Sequence, residues 1–229
     1  PATLAWLEGA LEQLFRNVPG LGGVFTITMS ENMTHCASSF KIACERCKGH
    51  PYPEFILDVN RSIVKGVKAG KPDAEVWFFD VAWPDDAPET VVPYLPKEGR
   101  LIAWSEKLMP YRQAGADHTV SEYSISHPGP GPRAVKLWNA AKAAGLKNVA
   151  KLQVSTSWEI CAVPYLPAMD LVAEHAFNLS TAAVDSVMLS WSLGGYPSPN
   201  LQLFNEFRRD EKNISGLLDR FAVKLYGDG

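Results

Sequence analysis

Two glutamates, Glu31 and Glu159, each follow an apolar, strand-like stretch and lie in polar turns rich in hydroxyl groups. Paired carboxyl groups flanking a glycosidic bond are the usual machinery for its hydrolysis. One donates a proton to the leaving oxygen, and the other attacks as a nucleophile or activates water. We predict Glu31 and Glu159 as this pair. Which of them is the acid depends on burial and neighbouring groups, which the sequence does not give.

Other strand-like stretches also end in acidic or aromatic residues. A tryptophan at a barrel mouth offers an apolar face to a sugar ring and an N–H donor, and carboxylates bind sugar hydroxyls. The predicted substrate-binding residues are Asp80, Trp83, Trp104, Glu106, Trp158, Trp191 and Tyr196. Asp80 and Glu106 are reserves for the catalytic pair, and Glu122 is a weaker one. The structural alternative is that single carboxylates are solvated or salt-bridged; Trp77 and Trp138 are expected to fill the core.

Three of the four cysteines lie in one short stretch, and a histidine follows closely. Thiolate and imidazole ligands at such spacing are typical of tetrahedral zinc. The predicted ligands of a structural zinc ion are Cys36, Cys44, Cys47 and His50. His35 is an alternative fourth ligand, and a disulfide from Cys36 to Cys44 or Cys47, or free thiols, are alternatives to the metal. Four protein ligands leave no open position, so we expect this zinc to be structural and not catalytic. The predicted glycosidase chemistry uses carboxyl groups, and no cofactor is expected for catalysis.

The elements that must position these residues alternate along the chain. The predicted strands cover 22–29, 75–83, 100–106, 149–159 and 184–193, with one more at 120–126 in a weaker pattern. The predicted helices cover 3–16, 53–69, 133–145, 168–180, 200–210 and 213–226. This alternation predicts an α/β fold with a parallel sheet built from right-handed crossovers. The active site of such folds lies beyond the carboxyl ends of the strands, where the polar residues fall.

Composition excludes several classes of protein. With 46% hydrophobic residues and a net charge of −3, the chain of 229 residues is not of the disordered class. The 22 basic residues are outnumbered by 25 acidic ones, so we expect no nucleic-acid partner. No stretch approaches the ~18 to 20 apolar residues of a membrane helix, so no membrane partner is expected. The compartment, whether cytoplasmic, periplasmic or secreted, does not follow from the sequence.

A resemblance to a known group is carried by three segments, GGVFTITMSENMTHC, KLQVSTSWEICAVPYLPAMDLVAEH and VMLSWSLGGYPSPN. They are similar to the later strands of bacterial TIM-barrel glycoside hydrolases, either hexosaminidase-like families or the large retaining clan. In that clan the resemblance implies an acid/base glutamate ending strand four and a nucleophile ending strand seven, which Glu31 and Glu159 match in order. The chain departs from the clan in having Ser30 before Glu31, where asparagine is usual.

This alignment assigns the whole chain, 1–229, to a single (β/α)-barrel-type domain that contains strands four to eight. The length is below the typical ~250 residues of a complete barrel, and the first residue is Pro1. We therefore expect a C-terminal barrel part with an exposed sheet edge that self-associates or pairs with a complementing half. The predicted function is a glycoside hydrolase acting on a carbohydrate. The alternatives are a non-catalytic carbohydrate-binding or residual barrel fragment, and an α/β enzyme whose carboxylates bind a divalent metal.

Overall fold

The computed structural model describes residues 2–30, 33–38, 44–155, 163–182, 184–190, 197–207 and 211–227. The helices are α1 (Ala2–Asn17), α2 (Tyr52–Gly70), α3 (Ala87–Thr90), α4 (Pro132–Ala143), α5 (Met169–Ser180), α6 (Pro199–Glu206) and α7 (Ile214–Tyr226). The strands are β1 (Gly23–Ile27), β2 (Glu75–Phe79), β3 (Arg100–Trp104), β4 (Pro110–Gln113), β5 (Ala116–Thr119), β6 (Lys147–Leu152) and β7 (Ser186–Leu189).

Five strands form a parallel sheet in the order β1-β2-β3-β6-β7. In the register of the sheet, Phe25 pairs with Trp77 and Phe79 pairs with Ile102. Strands β1 and β7 are its edges among the described residues, so the sheet is open, and it fits part of a barrel. The predicted α/β fold with a parallel sheet is therefore confirmed.

An antiparallel hairpin of β4 and β5 forms a second, two-stranded sheet that the sequence analysis missed. Its turn residues Ala114 and Gly115 both have positive φ, as a tight hairpin turn of the mirror-image type requires. The hairpin is mostly exposed and polar, so it lacks the apolar alternation that identifies strands. The strand expected at 120–126 is irregular chain.

The described chain clusters into two compact units. The first comprises Pro1–Ala103 with Leu137–Val149, and the second comprises Trp104–Lys136 with Ala150–Gly229. None of the helices that the structure describes combines the length and hydropathy required to cross a bilayer.

In the first unit, helix α2 is joined to strand β1 by a buried polar residue. The Asn60 side chain accepts a hydrogen bond from Thr26 Oγ1 at 2.9 Å and donates to the Ile56 carbonyl at 2.9 Å. Apolar neighbours of Asn60 on α2, among them Ile56 and Val67, are fully buried, which fixes the helix face that packs. Gly66 of α2 permits close approach of α1, because a Cβ there would overlap the Glu8 carbonyl oxygen.

Two tryptophans expected in the core of this unit behave differently. Trp138 of α4 is fully buried, as predicted. Trp77 is only partly buried: it lies on the face of β2 beside the exposed Phe25 of edge strand β1, and its Nε1 donates to Glu75 Oε2 at 2.7 Å. The core expectation for Trp77 is wrong, because an edge strand leaves its neighbour partly uncovered on that face.

In the second unit, side chains cap the two C-terminal helices at their first turns. Ser198 accepts a hydrogen bond from the Leu201 amide at the start of α6, and Asn213 accepts one from the Gly216 amide at the start of α7. Serine and asparagine are favoured at this position because their side-chain oxygens satisfy amides that have no partner within the helix. The caps thus fix where both C-terminal helices begin.

Candidate functional site

The predicted catalytic pair, Glu31 and Glu159, lies outside the described residues. The same holds for three of the predicted sugar-binding residues, Trp158, Trp191 and Tyr196. These assignments stay predictions. The structure describes the chain just before each of them, at the carboxyl ends of β1, β6 and β7.

At the carboxyl end of β2, the first unit holds Asp80 and Trp83, both buried. The Asp80 amide donates to the Ile102 carbonyl at 3.2 Å, and the Trp83 amide donates to the Asp80 carbonyl at 3.1 Å. The indole Nε1 of Trp83 donates to Thr28 Oγ1 at 3.3 Å, just beyond β1. With only 3% of its surface exposed, Trp83 offers no open ring face to a sugar in this structure.

At the carboxyl end of β3, the second unit holds Ser105 and Glu106, whose side chains are completely buried. Glu106 Oε1 accepts a hydrogen bond from the Gln153 amide at 2.8 Å, just after β6. Lys151, the penultimate residue of β6, is also fully buried, and its Nζ donates to the Ser190 carbonyl at 2.5 Å. The same ammonium lies 4.8 Å from the centroid of the Tyr123 ring.

Glu106 and Lys151 interact electrostatically inside the second unit. Burial lowers the pKa of Lys151 to about 8, and the opposing attraction of Glu106 keeps that pKa from falling further. Lys151 is therefore still mostly protonated at pH 7. Ionisable groups are costly to bury, so two that attract each other at neighbouring strand ends mark a candidate functional site.

His175 of α5 completes the cluster of buried ionisable groups. Its Nε2 lies 2.7 Å from Ser105 Oγ, and its Nδ1 lies 4.0 Å from Glu106 Oε1. The carboxylate favours the tautomer with the proton on Nδ1, so that Nε2 accepts the hydrogen bond from Ser105. Burial lowers the pKa of His175 to about 3, so the imidazole is neutral at pH 7.

The neutral His175 predicts a specific acid sensitivity. An unfolded chain protonates this histidine below about pH 6.5, whereas the folded protein resists protonation down to about pH 3. As the pH is lowered through this window, the unfolded chain binds a proton that the folded protein does not. The free energy of unfolding therefore decreases by about 1.4 kcal/mol for each pH unit of acidification from this group. We expect His175→Gln to remove about 2 kcal/mol of the stability loss between pH 7 and pH 5, measured by urea unfolding. Parallel pH dependences for the two proteins would contradict the assignment.

Sequence reasoning missed Lys151 and His175. Lys151 is the one charged residue within the buried part of β6. A lysine in an otherwise apolar strand could have identified it as a candidate site residue. His175 lies on the buried face of α5 beside Val172, Ala176 and Leu179, a pattern shared with ordinary core histidines. Only the fold brings both residues to Glu106.

Trp104, the last residue of β3, is 5% exposed. Its ring meets the Tyr123 ring edge-on at 5.4 Å between centroids, and Lys107 Nζ lies 4.1 Å from its centroid. These two neighbours cover the indole, so the predicted sugar-stacking surface of Trp104 is not open in this structure.

A cluster of three cysteines forms a candidate metal site in the first unit. The sulfur atoms of Cys36, Cys44 and Cys47 all lie within 4.8 Å of one another, and the three thiols are free. The chain turns tightly between the last two, since the amides of Cys47 and Lys48 both donate to the Cys44 carbonyl. Thiolates bound to zinc at ~2.3 Å in a tetrahedron stand about 3.8 Å apart. The three cysteines can therefore bind a metal with a small adjustment.

The two histidines near the cluster are turned to other partners. His50 packs edge-on against Phe55 at 4.6 Å between centroids, and His35 stacks on Phe55 at 5.5 Å. His35 Nδ1 accepts a hydrogen bond from the Ala37 amide at 3.2 Å. Burial lowers the pKa of His35. The structure thus brings together three of the four predicted ligands and leaves His50 out of the group.

The thiols of the cluster differ in acidity. Hydrogen bonds with the backbone of Arg46 and Cys47 lower the pKa of Cys44. The neighbouring Cys36 thiol raises the pKa of Cys47 to about 11. Metal ligation requires thiolates, so binding would release protons from this cluster.

Comparisons with known proteins add no relative: no family model matches the chain, and neither the curated proteins nor the solved structures contain a significant match.

Proposed function

We propose that this protein is a glycoside hydrolase in which Glu31 and Glu159 are the catalytic carboxyl groups. The observation that carries the proposal is the buried cluster of Glu106, Lys151 and His175, where β3 and β6 end. Charged groups are expensive to bury, and ligands of parallel α/β folds bind beyond these strand ends. The carbohydrate specificity of the proposal comes from the sequence: paired glutamates, strand-end aromatics and the resemblance to barrel glycosidases.

The contacts in the structure reduce the number of residues that we expect to bind the sugar. Trp83 and Trp104 are covered by their own neighbours, and Glu106 holds the Gln153 amide. We therefore assign sugar stacking to the remaining aromatic candidates, Trp158, Trp191 and Tyr196. The finer fold proposal is that the open sheet corresponds to strands four to eight of a TIM barrel.

The test is a panel of chromogenic α- and β-glycosides, incubated with the wild-type chain, with sugar binding measured in parallel by calorimetry. Hydrolysis of at least one glycoside is the expected result. Binding without hydrolysis would replace the proposal by a non-catalytic carbohydrate-binding role. Activity that requires an added divalent metal would instead favour a metal-dependent reaction at the carboxylates.

For the cysteine cluster, we propose that the metal is zinc and that its role is structural. Thiolate ligands select soft or borderline metals, and a CxxC turn with a third cysteine is a frequent zinc-binding arrangement. To serve as the predicted fourth ligand, His50 would have to rotate away from Phe55. The ion would hold together chain that lies between β1 and α2.

A further inference from the structure

The three residues that follow β6, Gln153 to Ser155, are held in an unusual way. This 153–155 segment directly precedes residues 156–162, which contain Trp158 and Glu159 in the sequence. The segment is not part of the sheet, so its backbone polar groups need partners elsewhere. Most of those partners are buried side chains from other elements.

The amide groups of the segment are bound by two side chains. Glu106 Oε1 accepts from the Gln153 amide at 2.8 Å. Ser190 Oγ accepts from the Val154 amide at 3.4 Å and from the Ser155 amide at 3.2 Å. Glu106 follows β3 and Ser190 follows β7, so the segment is held from the ends of two other strands.

The carbonyl groups are bound as well. Asn200 Nδ2, in the first turn of α6, donates to the Val154 carbonyl at 2.8 Å and to the Leu166 carbonyl at 2.5 Å. The Leu166 amide donates to the Ser155 carbonyl at 2.7 Å. These bonds tie the chain before residue 156 to the chain after residue 162.

Burial makes these bonds energetically important. Glu106 and Asn200 are fully buried, and Ser190 is 2% exposed. Removing one partner of a buried hydrogen bond leaves the other unsatisfied, which costs more than an intact bond contributes on average. Ser190 also has φ of +65°, a left-handed conformation that non-glycine residues rarely adopt. The 153–155 segment is therefore bound by the strained residue Ser190, by Glu106 after β3 and by Asn200 of α6.

We propose that Glu106, Ser190 and Asn200 are positioning residues, which hold the 153–155 segment so that the chain bearing Trp158 and Glu159 starts from a fixed place. This inference rests on the proposed glycosidase function. It reassigns Glu106, since its carboxylate acts on the protein backbone and does not contact the sugar. A small displacement of a reacting group can cost about 100-fold in rate, which is why such an anchor matters.

The test compares four variants of the full chain. Ser190→Ala and Asn200→Ala remove anchor atoms and leave the Glu106–Lys151 pair intact. Glu106→Gln keeps an oxygen acceptor for the Gln153 amide. Leu217→Ala in α7 is the matched control, because it loses core packing at a buried site in the same unit. Each variant is measured for thermal stability, for kcat and KM on the best glycoside, and for hydrogen exchange at the 153–155 amides.

We expect Ser190→Ala and Asn200→Ala to raise exchange at 153–155 by about 10-fold or more, and to lower kcat by about 10- to 100-fold with little change in KM. Glu106→Gln keeps the acceptor for the Gln153 amide but removes the charge that attracts the buried Lys151 ammonium. It is therefore expected to lower thermal stability, while exchange at the Gln153 amide rises less than in the two anchor variants. Leu217→Ala is expected to lose stability without losing kcat. Wild-type kcat, or unchanged exchange, in both anchor variants would overturn the positioning role alone.

Failure of the proposed function would be visible in the wild-type protein. If the wild type binds a sugar without cleaving it, the two anchor variants are expected to weaken that affinity about 10-fold, and unchanged affinity overturns the positioning role. If the wild type neither binds nor cleaves any glycoside of the panel, the function and the positioning role are both overturned.

Discussion

Protein purified without added metal is expected to contain about one zinc ion per chain, and serine substitution of Cys36, Cys44 or Cys47 is expected to abolish its retention. The three sulfur atoms already lie within 4.8 Å of one another, so little reorganisation is needed for ligation. Structural zinc sites in small peptides contribute apparent binding free energies of about 10–16 kcal/mol at pH 7. Loss of the ion should therefore open the cysteine-bearing chain between β1 and α2.

Elemental analysis of the purified chain measures the zinc content, and limited proteolysis with and without a chelator measures the opening. Chelation should also expose three additional reactive thiols to a colorimetric thiol reagent. Cys161→Ser is the control and should retain the metal, since it is far from the cluster in sequence. His50→Ala and His35→Ala test the fourth ligand. A metal-free preparation with a disulfide or three immediately reactive thiols would contradict the zinc assignment.

Glu31→Gln and Glu159→Gln are each expected to lower kcat by about 100- to 10,000-fold, the range that general acid–base groups contribute. Glutamine keeps the size and polarity of the side chain, but it neither transfers the proton nor attacks the anomeric carbon. The fold should survive, because the buried contacts of β1, β6 and their neighbours are unchanged. Rates are measured on the best glycoside of the panel, alongside circular dichroism.

Glu122→Gln is the matched control for this pair of variants. Glu122 is exposed, and its loss should leave the rate unchanged. A wild-type rate in Glu31→Gln or Glu159→Gln would remove that residue from the mechanism. Product analysis by NMR then gives the stereochemistry: retention corresponds to carboxyl groups about 5–5.5 Å apart, and inversion to about 6.5–9.5 Å.

The alternation of strands and helices was predictable because it depends on local periodicity. Four of the five strands fall inside the predicted ranges, and β6 begins at Lys147, two residues before its predicted start. All five end earlier than predicted: β3 stops at Trp104, and β6 stops at Leu152. The polar residues after these strand ends form hydrogen bonds with side chains and with loop backbone. The hydrophobic periodicity of the sequence does not reveal such bonds. The hairpin of β4 and β5 escaped prediction for the related reason that it buries no apolar face.

The sequence allowed us to predict which residues lie at the strand ends. It did not allow us to predict what their side chains contact there. Carboxylates at strand ends were expected, and Glu106 is one of them. Its pairing with Lys151 and its bond to the Gln153 amide depend on contacts between residues about 45 positions apart. Whether Trp83 and Trp104 expose their rings likewise depends on tertiary neighbours. The spacing of the cysteines identified their cluster, whereas the packing of His50 against Phe55 had no sequence signal.

Ser190 is bonded to β6 and its extension through both its main chain and its side chain. Its carbonyl accepts from Lys151 Nζ, and its own amide donates to the Leu152 carbonyl at 2.7 Å. Its hydroxyl accepts from the amides of Val154 and Ser155. Because these bonds share one residue, opening the end of β7 breaks them together. The ends of β6 and β7 should therefore open as one cooperative unit rather than fray as two independent strand tips.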